Sequence, residues 1–250
     1  YTNRQQDVVD LFRTRPDRYS LVFHGNNHDP CPEFTEQIPL TDQRADLEQA
    51  KQRMNDLRAQ TGLSYGRVMV FPCTLSGEST LPLLKELNYV ATINNAFTPP
   101  GSTTSSAWDF NMYPAMMDYR NYAVVLRNTF ADSPYPFDLF RDKPLFIYGH
   151  LSDFASPAAM NSIADAVNSL PGGVEWRSLD YIMKRLFLEK VNDDGSATVQ
   201  WYTNHLILKN ETSTNRLYYL QKREDGVVPI QSVTVNGVPH AYTVAGGLLQ

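Results

Sequence analysis

Four short apolar runs punctuate the first part of the chain: YSLVFH (Tyr19 to His24), RVMVFP (Arg67 to Pro72), YVATIN (Tyr89 to Asn94) and PLFIYGH (Pro144 to His150). Each is too short for a helix and ends in a polar or turn-forming residue, which predicts buried strands. Helical patterns fall between them. DVVDLFR precedes the first run. LTDQRADLEQAKQRMNDLRAQTG is the clearest helix: Leu47, Ala50, Met54 and Leu57 share one face, Thr41 or Asp42 can cap its start, and Gly62 stops it. STLPLLKELNY offers Leu83, Leu84 and Leu87 as an apolar face. SPAAMNSIADAVNSL predicts a helix capped by Ser156 with Pro157 in its first turn. VEWRSLDYIMKRLFLEK supplies a strand and a further helix.

From Ala96 to Phe140 the periodicity fades. TPPGSTTSSAWDF and FADSPYPFD are rich in turn formers, with YAVVLR between them as one strand. Strand and helix patterns otherwise alternate up to about Lys190, which implies parallel strands joined by crossover helices. After Asn192 the pattern changes to short alternating strands separated by DDG and NG turns. The expected organisation is an α/β domain over 1–190 and a small antiparallel, sandwich-like β module over 191–250.

Composition removes whole classes of function. The net charge of −5 leaves no electrostatic footprint for nucleic acid. No apolar run approaches the ~18 residues of a membrane span. The two cysteines, Cys31 and Cys73, are too few for a disulfide framework or a four-cysteine zinc site. They suit a single disulfide, a soft-metal pair or two small packing residues. The chain opens at Tyr1 rather than at a methionine, which leaves room for a leader or a longer N-terminal region ahead of it. Asn210-Glu-Thr212 is an acceptor sequon, meaningful where the host glycosylates.

The candidate chemistry collects at strand ends. In a parallel α/β fold, side chains after the C-terminal ends of strands build the active face. His24 and His28 follow YSLVF, Pro72 and Cys73 follow RVMVF, and His150 follows PLFIYG. Two imidazoles four residues apart can reach one cation at roughly 2.0–2.1 Å. Asp29 is placed to be a third ligand, or to receive the N–H groups of its own turn. A lone strand-end histidine, on the other hand, is commonly a hydrogen-bonded structural residue.

HGNNHDPCPEF, an amphipathic helix, VMVFPCTLSGESTLPLLKELNYVATIN and PLFIYGH, in that order, resemble the polysaccharide deacetylase family of metal-dependent carbohydrate esterases over about residues 19 to 185. In LLKELNYVATIN, Asn88 stands where glycine is usual. The resemblance implies an incomplete or irregular (β/α) barrel. It makes His24 and His28 metal ligands, with zinc first among the divalent candidates. It gives the backbone N–H of Cys73 to the oxyanion and His150 to the leaving group as general acid. Trp108 would match the tryptophan of a fourth motif. The implied substrate is an acetylated polysaccharide or glycoconjugate, and the implied location is secreted or cell-surface.

The departures are as specific. The family opens on a strand ending in paired aspartates, and nothing in YTNRQQDVVDLFRTRPDRYS ends a strand that way. Either that strand lies ahead of Tyr1 or the chain never had it. Val70 and Phe71 precede Pro72, so the arginine of the third motif is missing. Two other functions are therefore open: a catalytically incomplete relative that binds glycans without hydrolysis, and a glycosidase using two carboxylates ~5–9.5 Å apart, drawn from Asp29, Glu33, Glu78 and Asp153. His205 and His240 are expected to be structural or exposed.

Overall fold

The computed structural model of the chain describes residues 3–29, 33–74, 76–94, 114–117, 119–129, 135–170, 174–224, 226, 228 and 230–250. Cys31, Trp108 and most of the irregular stretch after Ala96 lie outside the described residues.

Four strands, β1 (Leu21–Phe23), β2 (Tyr65–Val70), β3 (Ala91–Asn94) and β4 (Val124–Leu126), form a sheet in that spatial order, and every neighbouring pair is parallel. Just beyond β4, β5 (Asn128–Thr129) pairs in parallel with β6 (Ile147–Tyr148). The parallel expectation therefore holds, with shorter strands than the apolar runs suggested.

Alternate residues of the sheet feed two cores, as the two-residue pleat requires. Met69, Phe71 and Val124 face one cluster with Leu47, Leu81, Leu84 and Tyr89. Val68, Ile93 and Val125 face the other with Phe146, Met183 and Leu186. Helices α1 (Asn3–Thr14), α2 (Leu40–Thr61) and α3 (Thr80–Glu86) precede or separate the first strands. Gly62 ends α2 in the left-handed conformation, at φ 73°. The start differs from expectation: Pro39 holds the cap position and no side chain caps it. Asn88 sits at φ 60°, while the N–H of Tyr89 donates to Leu84 O at 2.8 Å. That is the left-handed turn after a helix where glycine is favoured and asparagine is tolerated.

Part of FADSPYPFD is helical rather than a loop, as α4 (Tyr135–Phe140). Helix α5 (Pro157–Asn168) begins as expected, with the Ala159 N–H donating to Ser156 Oγ at 3.2 Å. In VEWRSLDYIMKRLFLEK the order is reversed: the helix α6 (Leu179–Met183) comes first and the strand β7 (Phe187–Val191) follows.

That strand belongs to the second sheet. β7, β8 (Ala197–Trp201), β9 (Tyr218–Arg223), β12 (Val244–Ala245) and β13 (Leu248–Leu249) lie in the order β12-β13-β9-β8-β7. All its pairs are antiparallel except β8 with β9, which is parallel. A separate hairpin joins β10 (Thr234–Val235) to β11 (Val238–Pro239) through the NG turn, with Asn236 and Gly237 at φ 52° and 80°. The second sheet docks beside the start of β3, where Asn204 N–H donates to Val90 O and its side-chain amide to Tyr89 O. It therefore packs at the end of the parallel sheet opposite to the strand ends that carry His24 and His150. Among the described residues, no helix is long and apolar enough to cross a membrane.

Candidate metal centre and active-site mouth

Because the strands run parallel, the residues that follow them gather along one edge. His24 follows β1, the turn Pro72–Thr74 follows β2, Arg127 follows β4, and His150 lies two residues beyond β6.

The loop between the two histidines is fixed by its own polar residues. Gly25 (φ 68°) lets the chain turn against a wall: an added Cβ there would lie 2.1 Å from Glu33 Oε2 and 2.4 Å from Pro72 Cγ. Glu33 is buried. Its carboxylate receives the N–H of Asn26 at 3.0 Å and of Asn27 at 2.6 Å. Arg53 of α2 donates to Asn26 O at 2.9 Å and Asn27 Oδ1 at 3.0 Å, and the Asn26 side-chain amide donates to Asp46 and Gln49. The two asparagines of HGNNH thus anchor the loop to α2. His28 is held at φ 63°, a left-handed position.

This brings the imidazoles of His24 and His28 together, with ring centroids 5.2 Å apart. His24 Nδ1 lies 2.9 Å from the carbonyl of Val70. A carbonyl only accepts, so Nδ1 carries the proton and Nε2 keeps its lone pair. Metal-binding histidines are commonly set in this way, with the second nitrogen donating to a backbone carbonyl. Burial lowers the pKa of His24, and the charges of His28 and Arg127 lower it further, against the raising effect of the Val70 bond and of Glu33. The net lowering favours the neutral ring, the form that can act as a ligand.

On the other side of the mouth, the Arg127 guanidinium stacks over the Tyr148 ring, 4.4 Å from its centroid. The ring of His150 meets Tyr148 edge-on, with centroids 5.6 Å apart. His150 is exposed, and its backbone N–H donates to Asp153 Oδ2 at 2.6 Å. Arg127 was not among the sequence candidates. The signal was present, since YAVVLR ends a strand in a charged residue just as PLFIYGH ends in a histidine.

Cys73 lies in the turn after β2 at φ 53°. Its sulfur is in a disulfide, and Cys31 is the only other cysteine of the chain. That leaves Cys73 no free thiol, while its backbone amide remains at the strand end; the other half of the cysteine reading, Cys31, lies outside the described residues.

The acids are mostly engaged elsewhere. Glu33 holds the loop, Glu78 pairs with Arg120 at 3.2 Å, and Asp153 ties down the backbone of His150. Asp29 is exposed, and among the described residues no group of three histidine, cysteine or acidic side chains is close enough to share a cation. Asp29 follows the left-handed turn at His28. His205 and His240 are exposed and far along the chain in the second sheet region, as expected.

The chain matches no family model, no curated protein and no solved structure.

Proposed function

We propose that this protein is a metal-dependent hydrolase that removes acetyl groups from an acetylated carbohydrate, on an incomplete (β/α) barrel of the polysaccharide deacetylase type. One observation carries the reading: His24 and His28 are ring against ring, with His24 locked in the tautomer that leaves Nε2 for a cation. The donor set fits a divalent metal in its chemistry, since neutral imidazole suits zinc. His24 and His28 would hold it. When bound, such a cation lowers the pKa of water and polarises an acyl carbonyl.

The chain's own residues supply the remaining roles. The Cys73 amide, at the strand end beside Val70, is the donor for the developing oxyanion. His150, exposed at the mouth, is the group that protonates the departing sugar amine or alcohol. A secreted or cell-surface location accords with the disulfide at Cys73.

A second reading, a glycan binder without hydrolysis, draws on the absence, among the described residues, of three side chains grouped to hold a cation. Metal content of the purified protein, with and without added zinc or cobalt, separates the two when joined to an acetate-release assay on acetylated chitooligosaccharides and acetylated xylan. The hydrolase reading expects a stoichiometric cation in the wild type, its loss in His28→Ala, and acetate release that follows the metal. No bound metal after zinc and cobalt addition would remove its support, and metal without acetate release would favour the binder.

A further inference from the structure

Among the described residues, Arg127 is a charged group at the mouth that no acid pairs with. Arg13, Arg44, Arg120, Arg177 and Arg216 each meet a carboxylate. Arg127 forms no ion pair among the described residues; its Nε is buried and makes no hydrogen bond there. An N–H of a charged group hidden from water without an acceptor is costly. The chain nevertheless holds it in place, because the Tyr148 ring lies under the guanidinium at 4.4 Å. A ring face supports the cation and leaves the in-plane N–H donors unspent. Tyr148 also meets His150 edge-on. A planar fork of donors, stacked and unpaired beside an imidazole, matches the two oxygens of a carboxylate.

We infer that Arg127, Tyr148 and His150 form an anion-recognition subsite at this mouth, and that the carbohydrate taken there carries a carboxylate, as a uronic acid does. The inference rests on the proposed carbohydrate substrate for its sugar, but its anion recognition needs neither a metal nor hydrolysis.

The test uses metal-free protein in 1,10-phenanthroline, a neutral chelator that does not compete as an anion. The Arg127 Nε–H resonance is followed by 15N NMR while D-galacturonate, D-galactose or inorganic phosphate is added. Galacturonate is expected to shift that resonance and galactose to leave it. Arg127→Gln is expected to weaken galacturonate binding about tenfold or more, the loss of one charge-assisted contact, with Arg127→Lys between the two. An unmoved Nε–H, or equal galacturonate affinity in wild type and Arg127→Gln, overturns the subsite. Tighter binding of phosphate than of galacturonate overturns the carboxylate assignment. If Arg127→Gln does not fold, Arg127→Lys and the galacturonate–galactose contrast in the wild type decide. Intact galacturonate binding without acetate release would sink the hydrolase reading alone, and the converse would sink this subsite alone.

Discussion

The imidazole of His24 is tied to the neighbouring strand by its Nδ1–H, which donates to the carbonyl of Val70 at 2.9 Å. One hydrogen bond thus couples a side chain after β1 to the backbone end of β2. It sets which nitrogen faces the mouth, and it does so before any ligand arrives.

That setting has a pH signature. Partial desolvation of the ring, His28 and Arg127 hold His24 below the ordinary 6.5, and partial desolvation together with Lys184 does the same for His205. A histidine whose folded value is below its unfolded value binds fewer protons when folded, so stability rises with pH across that window. The contribution is present above pH 6.5 and is lost as pH falls through the folded values. Urea denaturation of metal-free protein is expected to show lower stability at pH 5.5 than at pH 7.5, and His24→Asn with His205→Asn is expected to flatten the slope. In NMR titrations, His28→Asn is expected to raise the His24 midpoint by removing a like charge. An unchanged midpoint would mean that the two rings do not share one field.

Gly25→Ala tests the anchored loop. The new methyl group meets Glu33 and Pro72 at a left-handed backbone position. The expected cost is about 2–4 kcal/mol, combining backbone strain and overpacking. Because Glu33 holds the Asn26 and Asn27 amides, metal binding should weaken along with stability. Urea unfolding and zinc titration of the same preparation check both.

Glu224 ties helix α3 to the second sheet. Its carboxylate, buried, pairs with half-buried Lys85 of α3 and with buried Lys222 of β9. Removing the acid takes the counter-charge from both ammonium groups, of which that of Lys222 is buried. Glu224→Ala is expected to cost about 3–5 kcal/mol, and Lys85→Met/Lys222→Met/Glu224→Leu to recover most of it. Thermal melts of the two variants decide. A triple variant no more stable than Glu224→Ala would mean that apolar packing cannot replace the charges here.

Cys73 separates stability from chemistry. Its proposed role uses the backbone N–H, whereas its sulfur is in a disulfide. Cys73→Ser is expected to lose about 2–4 kcal/mol, the usual worth of a native bridge. Below its melting temperature it should keep most of any acetate release that the wild type shows under the proposed function, since serine retains the amide. Acetate release lost in a folded Cys73→Ser would show that the bridge itself shapes the mouth.

The sequence by itself determined the local features, because they depend on neighbouring residues alone. The stripe Leu47, Ala50 and Met54 made α2 readable, Gly62 marked its end, and Ser156 with Pro157 marked the start of α5. The strand-end rule located His24, His28 and His150. Tertiary structure decided what depends on partners. Apolar runs of six or seven residues became strands as short as Ile147–Tyr148, because a strand extends only where a neighbour pairs with it. The parallel pairing of β8 with β9 left no trace in the alternation of either strand, since a period of two reads the same in both directions. Asp29 and Glu33 are equally acidic in the sequence, yet one ended in solvent and the other beneath the amides of the HGNNH loop. Which strand-end charge would go unpaired among the described residues was likewise invisible until the fold placed Arg127 on Tyr148: burial and pairing belong to three-dimensional neighbours, and residue order does not list them.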